Sequence, residues 1–417
     1  MKHFSDACHD ENIVKKNIKD IRYVPFMMNG TYIFLVSVSV ILILAYTNNA
    51  FAEPTLKDST LKVQEYVSGL TFPTSMVFLD NSNLLVLEKN GNVRLVSDGT
   101  LEAQPILSLP VVDKNERGLL GIEKDGSNIF IYATVDEDGV KNRVYKYELK
   151  GTSLSNPQVI LDLPASPGTN HQGGKLVMAN DSTLYSVTGE LQRNGKDQNI
   201  QDGPDPDYSG AILKINPDGT PASGNPFNDS GNEILQKYTA YGVRNCFGLA
   251  IDPKTGALWD TENGEDLNDE INFVFPGFNS GWKLVMGPIS QSGQSENELV
   301  KFPGSKYKDP IITFKDPIGI TDIEFLKSDK LGAKYSNNAF VGDYVNGNLY
   351  RFELNDERND FKLNSPGLAD RVVDDESELD SILLGTGFEG ITDIATGPDG
   401  NLYVLSYKLG EIFKITL

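Results

Sequence analysis

A phrase repeated six times between Leu70 and the C-terminus constrains the fold of this chain more than any other feature of its sequence. Each copy runs as an approach segment, an apolar strand, a turn and two more strands of alternating polarity. The most complete copy is GFEGITDIATGPDGNLYVLSYKLGEIFKI at residues 387–415. The other copies begin at Leu70, Gly118, Gly173, Tyr241 and Gly319. A repeat of roughly 50 to 75 residues with this content is typical of a β-propeller.

The repeats predict an all-β fold, a six-bladed β-propeller with four antiparallel strands per blade. A twisted four-stranded sheet cannot bury both of its faces alone, and in a propeller it does so against its neighbours. Asp-Gly, Asn-Gly and Pro-Asp-Gly sequences separate the strands and tolerate the positive φ of tight hairpins. No long stretch keeps a helical period, so we expect few helices. A sandwich or jelly roll is the alternative, but it would not need six similar units.

The first 52 residues do not belong to the repeat pattern. Residues 31–46 (TYIFLVSVSVILILAY) are almost wholly apolar, follow four basic residues, and precede the small-x-small sequence at residues 50–52. They predict a secretory signal cleaved after Ala52, which leaves residues 53–417 as the propeller domain. An uncleaved membrane anchor is the alternative, since a segment of 16 residues is only slightly short of a span. We therefore expect a secreted, periplasmic or cell-surface protein.

The composition after residue 52 excludes some partners and crosslinks. Residues 53–417 hold 32 Lys and Arg against 54 Asp and Glu, a formal charge of −22. Such a surface repels phosphate backbones, so we expect no nucleic-acid partner. Cys8 precedes the predicted cleavage point and Cys246 is the only other cysteine, so the mature chain can form no intrachain disulfide.

His171 is the only histidine after residue 52 and is the first candidate for catalysis. It lies in the sequence NHQGGKL at residues 170–176, where a loop enters the first strand of the third repeat. Propellers place such loops around the mouth of the central channel, where side chains of several blades converge. An ordinary histidine pKa near 6.5 suits a general base. A purely structural histidine is the alternative.

Two further segments carry candidate binding residues. Arg244-Asn245 stands at the equivalent entry to the fourth repeat, and a planar cation beside an amide suits carboxylate or quinone oxygens. Residues 262–272 (ENGEDLNDEIN) gather acids and amides around a glycine, which suits a hard cation, although the EF-hand spacing is absent. A structural arginine and a solvated acidic loop are the alternatives. The sequence has no Cys/His zinc cluster and no phosphate-binding glycine loop, so we expect neither nucleotide nor nicotinamide cofactors.

In this order, these segments resemble the soluble quinoprotein sugar dehydrogenases, the glucose/sorbosone dehydrogenase family. The resemblance extends from Gly69 to Ile415. Its specific parts are ERGLLG at 116–121, NHQGGKL at 170–176, GVRN at 242–245, and ENGEDLNDEIN at 262–272 followed by Gly281-Trp282. It implies a six-bladed propeller that holds pyrroloquinoline quinone beside a calcium ion and passes electrons from a sugar to an external acceptor.

The resemblance also implies a role for each matched residue. His171 would take the proton of the anomeric hydroxyl while hydride passes to the quinone, and calcium would polarise the quinone carbonyl. The implied cofactor contacts are Arg244 and Asn245, and the implied sugar contacts are Glu116 and Asn170. The implied calcium ligands are the carbonyls of Gly264 and Glu265 with the carboxylate of Asp269.

This chain departs from the family at the residues that grip the cofactor carboxylates. The family has a pair of arginines where this chain has Gly390 and Thr392, and a lysine where it has Val345. Each lost charged hydrogen bond removes roughly 1.5 to 3 kcal/mol of binding free energy. The departures make the quinone the least secure part of the implied site.

Three functions are consistent with the sequence. An exported dehydrogenase that oxidises aldose sugars to lactones is the interpretation we prefer, because His171, Arg244 and Asn245 are all retained. A non-catalytic propeller that binds extracellular glycans or a protein is the second, and the departures at Gly390 and Thr392 favour it. A calcium-dependent lactonase is the third, since that chemistry could also use one histidine and a metal.

Overall fold

The computed structural model describes residues 53–417, and its compact unit extends from Thr55 to Leu417. The predicted signal or anchor at residues 1–52 lies outside the described residues. Strands are the main regular element of the described part. Its helices are short: α1 (Ile289–Ser292), α2 (Glu376–Leu379) and 3₁₀ turns at Lys196–Gln198, Leu235–Lys237, Glu296–Glu298 and Pro366–Asp370. Within residues 53–417, no helix is both long and apolar enough to cross a membrane.

The strands of the described residues are numbered β1 to β29 in chain order. Strands β1 to β10 are Thr55–Leu56, Lys62–Val67, Pro73–Phe78, Asn83–Glu88, Asn92–Ser97, Thr100–Leu101, Leu107–Ser108, Leu119–Asp125, Asn128–Asp136 and Val140–Lys150. Strands β11 to β20 are Ser153–Pro164, Leu176–Met178, Leu184–Thr188, Ala211–Ile215, Tyr238–Tyr241, Cys246–Ile251, Leu258–Glu262, Asp269–Val274, Phe278–Asn279 and Lys306–Tyr307. Strands β21 to β29 are Ile312–Phe314, Ile320–Phe325, Ala339–Asp343, Leu349–Phe352, Val372–Val373, Leu383–Thr386, Ile391–Thr396, Leu402–Ser406 and Glu411–Thr416.

These strands pair into six sheets, which follow the six sequence repeats. In repeat order the sheets are β3-β4-β5-β6 with β7 beside β5, β8-β9-β10-β11, β12-β13-β14-β15-β19-β20, β16-β17-β18-β21-β25, β22-β23-β24-β26-β1 and β27-β28-β29-β2. The first strands of successive sheets contact one another in turn, and β27 contacts β3 to complete the ring. The predicted all-β propeller is confirmed.

The strand count per sheet differs from the prediction. Only the second and sixth sheets have four strands, and the others carry short additional strands at their outer side. Three of the added pairings, β15 with β19, β19 with β20 and β21 with β25, are parallel rather than antiparallel. Long connections inside the fourth and fifth repeats supply β19, β20 and β25. They cover outer edges whose backbone groups would otherwise lack partners.

The ring is completed by strands from opposite ends of the described chain. Strand β2 pairs with β29, with Lys62 opposite Thr416. Strand β1 pairs in the same way with β26 of the fifth sheet. Hydrogen bonds between the two ends of the chain therefore hold the last sheet together.

The hydrophobic core lies between adjacent sheets. Leu84, Leu85, Val86 and Leu87 of β4 are all buried, because the sheet has a neighbour on each face. Between the fourth and fifth sheets, the Trp259 ring stacks on a phenylalanine ring at a centroid distance of 5.0 Å. Full burial of one such large apolar side chain contributes about 1.5 to 3 kcal/mol. The core thus holds the sheets in fixed relative positions, which in turn fixes the loops at their ends.

One end of the ring collects the segments that the sequence singled out. We call this end the mouth. It is formed by the segments that enter the first strand of each sheet, together with the turns between the second and third strands. Below the mouth, inside the ring, Lys175 Nζ lies 2.8 Å from Asp322 Oδ1 and 2.7 Å from Asp393 Oδ1, which links the third, fifth and sixth sheets.

Candidate active site at the mouth

His171 lies in the segment that enters β12, and its side chain is only 5% exposed. Its backbone has φ 59°, and Gly173 and Gly174 follow with φ 66° and 110°. A Cβ built on Gly174 would lie 2.7 Å from Leu120 Cβ of the neighbouring sheet. Since such a contact is too close, the glycine is required for the two sheets to approach here. The segment that carries His171 therefore lies close against the second sheet.

The two ring nitrogens of His171 have different partners. Nδ1 bonds to Glu190 Oε1, and Nε2 lies 3.1 Å from an NH2 group of Arg244. The arginine can only donate, so Nε2 must accept and the proton of the neutral ring sits on Nδ1, where it is donated to Glu190. Glu190 is itself held by the Arg193 backbone N–H at 2.8 Å. The imidazole is therefore fixed in orientation and in tautomer, with its basic nitrogen towards Arg244.

Glu116 connects the two entry segments that carry the site. Its Oε2 accepts hydrogen bonds from the His171 backbone N–H at 2.6 Å and from Asn245 Nδ2 at 3.1 Å. Glu116 is buried, and Asn170, beside His171, is half-buried. The structure thus brings the predicted residues Glu116, His171 and Asn245 into direct contact.

Arg244 is the fixed cation of the site. Its NH1 group donates to the carbonyls of Asn263 and Gly264, at 2.7 Å each, and its guanidinium lies 5.1 Å from the centroid of the Trp282 ring. Burial lowers the pKa of Arg244 from its ordinary value, and the carboxylates of Glu116 and Glu190 oppose that shift. The group stays cationic, because the ordinary pKa of arginine is above 12.

Two buried polar atoms of this cluster have no hydrogen-bond partner in the described protein, Nε of Arg244 and Oδ1 of Asn245. One is a donor and the other an acceptor, and both belong to the residues that the sequence assigned to the cofactor. Buried polar atoms are nearly always paired in folded proteins. These two are thus suited to a bound ligand that offers both an acceptor and a donor.

Two of the predicted calcium ligands, the Gly264 carbonyl and the Asp269 carboxylate, already have hydrogen-bond partners in the protein. Gly264 N–H donates to Asp269 Oδ1 at 2.8 Å, whereas the Asn263 carbonyl of the same peptide faces Arg244. The peptide is trans, so the carbonyl and N–H point to opposite sides. Asp269 Oδ2 also accepts from the N–H groups of Ile318 and Ile320, at 2.9 and 3.0 Å.

Asp269 therefore lies on the far side of the turn from the Gly264 carbonyl and joins the fourth sheet to the fifth. Glu265 is exposed. Among residues 53–417, no group of three or more His, Cys, Asp or Glu side chains is placed to hold a metal ion. The residues of this turn do not fit calcium in the predicted way. The carbonyls of Asn263 and Gly264 already accept hydrogen bonds from the cationic Arg244 side chain.

Two carboxylates of the site received no role of their own from the sequence. Glu190 holds His171, and Glu262 Oε2 accepts from the Arg244 backbone N–H at 2.9 Å. Burial raises the pKa of Glu262 to about 7. A signal was present: an acid stands at or just after the end of the second strand in five of the six repeats, at Glu88, Asp136, Glu190, Glu262 and Asp343.

The opposite half of the mouth holds the three positions where the family resemblance fails. Val345 is 39% exposed in the turn after β23. Gly390 precedes β27 with φ 82°, and Thr392 Oγ1 donates to the Pro73 carbonyl at 2.9 Å. Thr392 thus has a structural hydrogen bond to the first sheet. These three positions present no cationic side chain to the mouth.

Comparison with known proteins places this geometry in context. The model of the family described as Glucose / Sorbosone dehydrogenase matches residues 70–414. The aldose sugar dehydrogenase YliI of Escherichia coli K12 is 27% identical over 376 residues, which cover 86% of this chain and 93% of that protein. The quinoprotein glucose dehydrogenase B of Acinetobacter calcoaceticus is 26% identical over 299 residues, covering 62% of this chain and 59% of that protein.

A solved structure shows the same fold. The aldose sugar dehydrogenase of Streptomyces coelicolor, in its PQQ-bound form, superimposes with a TM-score of 0.64. It covers 88% of this chain and 98% of its own, at 22% identity. The resemblance stated from the motifs is confirmed at the level of the family.

Proposed function

Because the chain belongs to the glucose/sorbosone dehydrogenase family, we propose that it is an exported quinoprotein that oxidises aldose sugars at the anomeric carbon to lactones. The named relatives from Escherichia coli and Acinetobacter calcoaceticus are an aldose sugar dehydrogenase and a quinoprotein glucose dehydrogenase. In this proposal the six sheets are the six blades of the propeller, and an external acceptor takes the electrons.

One observation carries the proposal: a buried histidine whose Nδ1 is fixed by Glu190 and whose Nε2 faces a buried arginine. A structural histidine needs no such arrangement, since ordinary backbone partners would satisfy its ring. A fixed neutral imidazole with its lone pair aimed at a ligand-binding cluster is suited to remove a proton from a bound hydroxyl.

The chain's own residues divide the chemistry as follows. His171 Nε2 takes the proton of the anomeric hydroxyl, in place of its hydrogen bond with Arg244. Glu190 stabilises the imidazolium that forms, as a carboxylate does beside a catalytic histidine. When bound, the quinone supplies the hydride acceptor for the anomeric carbon, so the sugar loses two electrons and two hydrogens and becomes the lactone. Glu116 and Asn170 border the sugar.

Pyrroloquinoline quinone fits the polar atoms at Arg244. The unpaired Nε of Arg244 is a donor that suits a quinone oxygen, and Oδ1 of Asn245 is an acceptor that suits a donor of the cofactor or the sugar. Arg244 also supplies a cation close to the reacting groups. We derive no step through calcium, since the turn at Gly264 directs Asp269 away from the carbonyls.

A non-catalytic binding propeller is the second candidate, because Thr392 is used structurally and Val345 and Gly390 carry no charge towards the mouth. One experiment separates the two. Pyrroloquinoline quinone is added to the purified full-length protein, and dye reduction is measured with a panel of aldoses. Reduction that His171→Ala abolishes supports the dehydrogenase. Absence of both quinone binding and dye reduction in the wild type would support the binding propeller.

A further inference from the structure

Lys408 lies in the half of the mouth opposite His171, in the turn between β28 and β29, and its side chain is exposed. Its Nζ donates to the Val345 carbonyl at 3.3 Å and lies 5.0 Å from the centroid of the Tyr344 ring. Its stem passes over Gly390, where Cγ and Cε would each lie 3.3 Å from a Cβ built on the glycine. The cations expected from the family are missing at Gly390 and at Val345. The Lys408 side chain extends from the first of these positions to the second.

This contact makes Gly390 and Lys408 mutually dependent. A side chain at residue 390 would meet the lysine stem and a tyrosine ring, also at 3.3 Å. The φ of 82° at Gly390 further favours glycine there. The space that an arginine at residue 390 would need is thus occupied by a lysine from the adjacent turn.

The location of Lys408 relative to the site follows from the repeat. In the third sheet, Glu190 of the turn after the second strand contacts His171 of the entry segment, and in the fourth the turn carbonyls contact Arg244. Lys408 occupies that turn in the sixth sheet. Its charge therefore faces the same mouth as the base, from the other side of the ring.

We propose that Lys408 is a binding residue for a carboxylate of the quinone cofactor. The inference rests on the proposed function, in which that cofactor carries three carboxylates. Residues 53–417 have a formal charge of −22, so a polyanion needs a local cation to approach the mouth. Among the residues that the structure describes, Lys408 contacts a carbonyl and an aromatic face rather than a carboxylate, so its charge is available to a ligand.

The test is a titration of pyrroloquinoline quinone into the purified full-length protein, followed by tryptophan fluorescence, since Trp282 contacts Arg244. Lys408→Gln should raise the Kd about tenfold, the loss of one charged hydrogen bond at the low end of its range. Lys408→Arg keeps the charge and should stay within about threefold of the wild type. The matched control is Lys62→Gln, which removes an exposed lysine opposite Thr416, at the other end of the ring, and should leave the Kd unchanged.

A second ligand identifies the group that Lys408 contacts. The trimethyl ester of the quinone has no carboxylate charge, so it should bind the wild type and Lys408→Gln equally. If the wild type and Lys408→Gln bind the quinone equally, or if they still differ in their affinity for the ester, the proposed role of Lys408 is overturned. Either result leaves the proposed function standing. Absence of quinone binding to the wild type would overturn the proposed function, and this inference with it.

Discussion

The two halves of the mouth use their polar groups in opposite ways. Around His171 and Arg244, buried side chains contact one another directly, and carboxylates fix both the base and the arginine backbone. Around Val345 and Gly390, the exposed Lys408 side chain contacts only a backbone carbonyl and a tyrosine ring among the contacts described above. The half around His171 is therefore held by buried hydrogen bonds between side chains, whereas the half around Val345 carries a cation on an exposed side chain.

The strongest test of the half of the mouth that holds His171 is the variant His171→Ala. Turnover should fall roughly 100-fold or more, because general-base catalysis contributes about 10² to 10⁴. The Kd for the quinone should change little, since the arginine and amide that we propose contact it are still present. Steady-state kinetics with a parallel quinone titration measures both quantities. A variant that fails to fold, or one that oxidises sugars at the wild-type rate, would return His171 to a structural role.

Asp269 tests whether the half of the mouth around His171 and Arg244 is stabilised without a metal ion. Asp269→Ala should lower the free energy of unfolding by about 3 kcal/mol, because three buried backbone N–H groups lose their acceptor. Glu265→Ala, at an exposed position in the same turn, is the control and should have little effect. Denaturant unfolding measures the difference. If chelation alone reproduces the loss in the wild type, Asp269 is a metal ligand after all.

Asp343 tests the opposite half through pH. It accepts hydrogen bonds from Asn346 and Gly347 in the turn that carries Val345, and burial raises its pKa to about 6. Between the ordinary pKa near 4 and this value the folded state binds the additional proton, so stability falls as pH rises through that window and is level above it. The loss relative to Asp343→Asn should reach up to about 3 kcal/mol, at 1.36 kcal/mol per pKa unit.

The measurement is the unfolding free energy of both proteins from pH 4 to about 7. Asp356→Asn, at an exposed side chain in the loop after β24, provides the control and should keep the wild-type profile. Parallel profiles for the wild type and Asp343→Asn would show that this carboxyl has an ordinary pKa and that the turn is not pH-sensitive.

Thr392→Arg sharpens the comparison by adding a charge to the weaker half. An arginine that pairs with one cofactor carboxylate should lower the Kd for the quinone about tenfold, equal to about 1.4 kcal/mol. Thr392→Gln, of similar length but neutral, should give no such gain and controls for the lost hydrogen bond to Pro73. A gain with glutamine as well would mean that length, and not charge, matters at this position.

Much of the architecture could be predicted from the sequence because a repeat reports the same local structure six times. The strands and the entry segments with His171 and Arg244 follow from patterns of a few neighbouring residues. The contacts between β2 and β29, or between Lys408 and Val345, do not, since they join residues far apart in the chain. Asp269 stays a predicted metal ligand, since the family resemblance names the residue but does not show which side of the peptide its carboxylate occupies.

The pairing of β2 with β29 has a consequence for the order in which the protein matures. The sixth sheet needs residues 62–67 and 411–416 together, so it cannot form until residue 416 has been synthesised. An emerging chain can assemble its earlier sheets one after another, yet β2 must stay unpaired until β29 has emerged. A polypeptide that ends even one strand early would leave an open arc with two apolar faces, a form that quality-control proteases and chaperones can distinguish from the finished ring.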